Sequence, residues 1–169
     1  AICLIWALSG NETEVLDKQI AAGDKVTAGA LLHGSRIEQE FEFSLDSLPE
    51  TVFLGIQFAT YGRKNPGLFT IDLLQDGNHQ THSINTAELV DNKIVYFPFI
   101  SIQQGKATLS IESEGSTKTR SATVWCHYSP GAAPMLLNGE PSERRVDLWI
   151  AKKESNQVYV ISRTGWVGL

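Results

Sequence analysis

Cysteine, basic clusters and long apolar runs are scarce in this chain, and each scarcity removes a class of explanation. Among 169 residues there are two cysteines, Cys3 and Cys126, too few for a disulfide framework. Both sit among apolar neighbours and read as buried small hydrophobes. A disulfide tying the N-terminus to a late strand is the other reading. Lysine and arginine are scattered, apart from Arg144-Arg145 and Lys152-Lys153, and the net charge is −5. Without a basic stripe to neutralise phosphates, the sequence argues against nucleic acid as a partner. No apolar run reaches the ~20 residues of a membrane helix. No stretch keeps a helical period, and no repeat or low-complexity tract appears. A G-x-S-x-G elbow, a glycine-rich phosphate loop and H-E-x-x-H are all missing, which leaves little to build catalysis on.

What is present is enough for one domain with an ordinary core that needs no metal or disulfide staples. The apolar start Ala1 to Leu8 reads as a signal or membrane-span remnant, or as a buried first strand. The organisation expected is therefore an N-terminal segment 1–12, a β-sandwich domain 13–162 and a C-terminal tail 163–169.

Period-two alternation in short runs dominates the sandwich region, and that is how half-buried strands read. Ile37 to Leu45 sends Glu38, Glu40, Glu42 and Ser44 to one face and Ile37, Gln39, Phe41, Phe43 and Leu45 to the other. Thr51 to Thr60 puts Val52, Leu54, Ile56 and Phe58 on one side. Leu68 to Leu74 runs into Asp76-Gly77, a strong hairpin signal, with His79 to Asn85 returning. Thr86 to Leu89 reads as a single helical turn. Lys93 to Ile102 is the most apolar strand, and Pro98 within it predicts an edge or a bulge. Ala107 to Glu112, Ser121 to Tyr128, Val146 to Ala151 and Gln157 to Ser162 complete the set. Ser129 to Arg145, rich in Pro and Gly, reads as a loop. Many short strands without helices between them predict an all-β fold, an antiparallel, jelly-roll-like β-sandwich.

Few residues invite chemistry. His79 and His82 have an H-x-x-H spacing, yet an offset of three on a strand points them to opposite faces and against a shared metal. Glu38, Glu40 and Glu42 would suit a glycoside hydrolase or lyase only if two carboxylates flanked a cleft; a solvated strand face explains them more simply. Asp91 and Asn92 offer oxygens that suit a structural calcium, the sole cofactor considered, or an Asx turn. Alternation along Ser121 to Tyr128 sends Ala122, Val124, Cys126 and Tyr128 one way and Trp125 with His127 the other. If the first set faces the core, Trp125 faces outward, where an indole ring can stack on the apolar face of a sugar.

The pieces Gln39-Glu40-Phe41, Phe58 to Asn65, Leu68 to Leu74, Asp91-Asn92, Tyr128 to Gly131, Asn138-Gly139 and Val146-Asp147-Leu148 together have a familiar look. From Ile37 to Leu148 the chain resembles extracytoplasmic, carbohydrate-binding-module-like β-sandwich domains of bacterial multi-spanning membrane proteins of surface-polysaccharide assembly. The resemblance implies a periplasmic or cell-surface location, membrane tethering and a role in carbohydrate binding or assembly. Tyr61, Arg63, Asn65, Asp91 and Asn92 are the matching positions, either as binding residues or as loop ties. Lys152 to Leu169 matches nothing in that pattern.

The function expected is thus a non-catalytic module that contacts glycan through one sheet face. Trp125 would stack, Arg63 and Gln57 would donate to hydroxyls, Glu40 would accept, and His127 and Tyr61 would complete the face and its rim. The alternative is a structural or partner-binding domain whose exposed edge strand or apolar loop, Ala132 to Leu137, docks on a membrane-embedded protein neighbour.

Overall fold

Alternating side chains commit most of this chain to strands, because each run has one apolar face to bury and one polar face to leave wet. The computed structural model describes residues 13–19, 23–131, 133–153, 159–162 and 165–168. In chain order the strands are β1 (Thr13–Gln19), β2 (Lys25–Thr27), β3 (Arg36–Phe43), β4 (Thr51–Ala59) and β5 (Leu68–Gln75). Then come β6 (Asn78–Asn85), β7 (Ile94–Ile100), β8 (Gly105–Glu114), β9 (Thr123–Tyr128) and β10 (Met135–Leu137). The last are β11 (Glu140–Ser142), β12 (Arg144–Val146), β13 (Leu148–Lys153), β14 (Tyr159–Ser162) and β15 (Gly165–Gly168). A short 3-10 turn, Thr86–Glu88, stands where a helical turn is predicted.

Two antiparallel sheets make an all-β sandwich. One has six strands in the order β11-β10-β3-β8-β5-β6. The other has seven: β4 is flanked by β7 on one side and by β13 and β9 on the other, β1 pairs with β13, and β2 and β12 pair with β9. From Arg144 onward the chain runs first against β9 and then, past Asp147, against β4. Between the sheets lie Ile37, Phe43, Phe69, Ile71 and Leu109 from one side and Leu54, Ile56, Phe58, Phe97 and Val124 from the other. The β5–β6 turn is Asp76-Gly77, both with positive φ (48° and 80°), as the hairpin signal predicts. Pro98 lies in β7, whose described pairing is with β4 alone, so the missing N–H opens no ladder on its outer side.

One expectation about the strands needs correcting. Ser129 to Arg145 is not a plain loop: β10 and β11 form a hairpin turned at Asn138-Gly139, where φ is 54° and 83°. Asn-Gly is itself a hairpin signal, masked here by the surrounding prolines. In the apolar stretch Ala132 to Leu137, Met135 is fully buried and Leu137 packs on the core, while Ala133 and Pro134 are exposed; Ala132 lies outside the described residues. The tail 163–169 contains β15, which pairs with β14 in a separate two-stranded ladder. The segment 1–12, with Cys3 and its proposed pairing to Cys126, also lies outside the described residues. Cys126 itself is buried beside Met135, and burial pushes its thiol up to about 12.

Side-chain amides of one sheet bond backbone of the other sheet or of the connecting loops. Gln39 of β3, 1% exposed, donates to the Val146 carbonyl (3.2 Å) and accepts from the Val146 N–H (2.7 Å). Gln80 of β6 makes the same pair of bonds with Ile100 (2.8 and 2.9 Å), and Gln75 of β5 with Gln103 (2.8 and 2.9 Å). Each amide supplies one donor and one acceptor, as a neighbouring strand would. Beside Gln39, the Arg145 guanidinium donates to the Glu40 and Ala133 carbonyls.

His82 also crosses between sheets. Its ring is buried between Phe97 and Phe99 and bonds the Pro98 carbonyl through Nε2 (2.6 Å), while exposed His79 faces Asp72 at 3.4 Å. The two histidines thus diverge, as strand geometry predicts. Burial lowers the His82 pKa, outweighing the opposing pull of the Pro98 carbonyl and Asp72. The unfolded chain, with an ordinary value of 6.5, therefore takes up the proton first. Its stabilising share is complete above that value and is lost as pH falls through the lower folded one. Urea midpoints should drop between pH 7.5 and 5, and His82→Phe should shrink that drop; an unchanged drop in the variant would assign it elsewhere.

Candidate functional site

The outer face of the seven-stranded sheet carries a connected group of polar and aromatic side chains. Strand β9 alternates as its sequence predicts: Val124 and Cys126 enter the core, and Trp125 and His127 face out, partly exposed. Register then fixes their neighbours. On β2, Thr27 lies across from Trp125 and Lys25 across from His127. On β4, Gln57 sits one residue before the core side chain Phe58 and so shares the outward face.

These groups are tied into one network. The Trp125 indole N–H donates to Asn92 Oδ1 (2.8 Å), and the Lys25 ammonium lies 5.1 Å from the centre of the Trp125 rings. Lys25 also donates to Gln57 Oε1 (2.6 Å), whose Nε2 donates to the Asn92 carbonyl (2.7 Å). Two loops form the rim. Asp91 Oδ1 accepts the backbone N–H groups of Thr60 (2.6 Å) and Tyr61 (3.0 Å), and these bonds, Thr60 first, hold its carboxyl below the ordinary carboxylate value. They close the tight turn in which Tyr61 and Gly62 have positive φ (57° and 67°). Tyr61 is 49% exposed, its hydroxyl 3.4 Å from Thr27 Oγ1 and its ring 5.3 Å from the Arg63 guanidinium. Arg63 donates to the Thr119 carbonyl, and buried Asn65 donates to the Thr60 carbonyl.

Beneath the face lies Asp147, 1% exposed, whose Oδ1 is hydrogen-bonded to His127 Nδ1. Its Oδ2 is buried without a partner among the described residues. Burial raises the Asp147 carboxyl above its ordinary value, opposed by the bond from His127 and by the charges of His127 and Lys25. The carboxylate orients the imidazole, and it sits where the chain passes from β9 to β4.

Five of the six residues expected to bind ligand, Trp125, His127, Gln57, Tyr61 and Arg63, therefore share this face and its rim. Glu40 does not. It lies on the exposed face of the other sheet, paired with Lys106 at 2.9 Å, because β3 belongs to the six-stranded sheet. Glu38 and Glu42 share that wet face, with Glu38 bonded to Arg36 at 3.0 Å. Of the pair expected to suit calcium, Asp91 accepts from the Thr60 and Tyr61 N–H groups and from Asn92 Nδ2, and Asn92 Oδ1 accepts from Trp125. Among the described residues no group of three acidic, His or Cys side chains is placed to hold a metal ion. Lys25 and Thr27 escaped the sequence reading, since only strand register brings them to Trp125 and His127; Asn92 was singled out there, but not as the partner of Trp125.

Tyr128 is the remaining departure. Alternation puts it on the core side of β9, yet it is 41% exposed. It lines a cleft of about 430 Å³ with Val26, Leu137, Glu140, Glu143 and Arg144, between the β2–β9–β12 end of one sheet and the β10–β11 hairpin of the other. Compared with protein-family models, with curated proteins and with solved structures, this chain matches none.

Proposed function

We propose that this protein is a non-catalytic, extracytoplasmic β-sandwich module that binds carbohydrate through the outer face of its seven-stranded sheet. One observation carries the reading: Trp125 faces outward at the centre of a ring of hydrogen-bonding groups on adjacent strands and loops. A sugar presents apolar C–H faces bounded by hydroxyls, so it needs a flat aromatic with donors and acceptors around it. Lys25 is exposed, and its ammonium can swing to a hydroxyl while the indole takes the ring. Gln57 and Arg63 donate, and Tyr61 and His127 extend the face. The extracytoplasmic assignment and the bacterial polysaccharide setting rest on the resemblance over Ile37 to Leu148.

A glycan-array screen of the folded domain, with Trp125→Ala as the paired control, tests the reading. A family of related glycans should bind, and the variant should lose about 1 kcal/mol or somewhat more, as for other aromatic contacts. Silence across a broad array would refute the sugar site and turn attention to a membrane-embedded protein neighbour.

A further inference from the structure

The cleft at the open end of the sandwich is separate from the Trp125 face, and its chemistry differs. Val26 and Leu137 pack on the core and form an apolar floor, with Pro141 beside them. Tyr128 reaches this floor from the inner side of β9, where the opposing sheet no longer covers it, and 41% of its surface stays open. Its hydroxyl donates to Glu143 Oε2 at 2.9 Å, which steadies the carboxylate at the cleft wall and leaves Oε1 for another donor. Glu140 adds a second carboxylate. The one cation in the lining, Arg144, spends Nη1 on the Ala28 carbonyl (3.0 Å). An aromatic ring, two carboxylates and a committed guanidinium favour a positive ligand over a negative one. The hydrogen bond to Glu143, and secondarily its charge, raises the Tyr128 hydroxyl above its ordinary pKa. A volume of about 430 Å³ lies at the lower end of small-molecule sites.

We propose that this cleft binds a protonated primary amine carried on a ring of single-sugar size, with the ammonium between Glu143, Glu140 and the Tyr128 ring and the ring body on Val26 and Leu137. The ligand class is that of an amino sugar. The site does not depend on Trp125, so it stands or falls apart from the glycan face.

Titration of the isotope-labelled domain with glucosamine, followed by amide shifts, reads it directly. Cyclohexylamine, glucose and glucuronate serve as probes that keep the amine, neither charge, or the opposite charge. Glucosamine and cyclohexylamine should both shift Val26, Tyr128 and Leu137, and glucose and glucuronate should not. Glu143→Gln keeps an acceptor for Tyr128 but removes the charge, and should weaken glucosamine about tenfold, the usual loss for one charged hydrogen bond. Tyr128→Ala should weaken it too, while Trp125→Ala should leave it unchanged. Equal binding of glucose, preference for glucuronate, no shift with any probe, or an unaltered affinity in Glu143→Gln would overturn the proposal.

Discussion

Replacing Gln39 by Leu is expected to lower the unfolding free energy by about 3 kcal/mol, although the new side chain is the more hydrophobic. The variant strips partners from both the N–H and the carbonyl of Val146, at a place where Gln39 itself is 1% exposed. Each orphaned buried group costs about 1–3 kcal/mol, and the better burial of leucine offsets only part of that sum. Gln80→Leu is the control. It breaks the same two bonds with Ile100, but Gln80 is only half-buried and Ile100 is 47% exposed, so water replaces the lost partners. Urea unfolding should separate the two variants by at least about 1 kcal/mol, with faster hydrogen exchange at Val146 in the first. Equal losses would mean that the amide of Gln39 matters only through packing.

A larger loss, about 4 kcal/mol, should follow Phe58→Ala. Phe58 is fully buried near the C-terminal end of β4, stacked on Phe69 across the sandwich (5.6 Å) and edge-on to Phe97 of β7 (6.3 Å). Truncation removes the transfer energy of the ring and leaves a cavity that two sheets held in register cannot collapse. Domains of this kind are stable by about 5–15 kcal/mol, so the variant should stay folded at low temperature but melt early. The midpoint in urea should move while the slope stays constant, because both states keep their exposure. Tyr61→Ala, at an exposed rim position, should shift the midpoint by less than about 1 kcal/mol.

Legibility in the sequence followed strand length. Runs of six to ten residues, such as those of β3, β4, β5 and β8, contain enough periods to declare both their type and their buried face. The strands β2, β10, β11 and β12 have three residues each, too few for any period; β10 and β11 fell inside an apparent loop, and β12 straddled its end. The outward turn of Trp125 and His127 was legible from alternation within one strand. What surrounds them was not, because Lys25, Asn92 and Asp147 arrive through pairings between distant segments. Glu40 erred for the same reason: a face can be read along one strand, but not to which sheet that strand belongs. Gln39 was legible as inward-facing and polar, a local inconsistency that the Val146 backbone resolves. Tyr128 obeyed the alternation and still surfaced, since period says nothing about where the opposite sheet stops.

The Gln39–Val146 bond also sets an order of events during synthesis. The two residues are 107 positions apart. When a ribosome has released the chain through Glu114, strands β3, β8, β5 and β6 can already form a four-stranded sheet from contacts among themselves. Its apolar side, with Ile37, Phe69, Ile71 and Leu109, then has only β4 and β7 to cover it. The rest of its cover, and the clasp at Gln39, wait for β9 to β13. Nascent chains stalled between Glu114 and Val146 should therefore be the ones that chaperones hold most tightly.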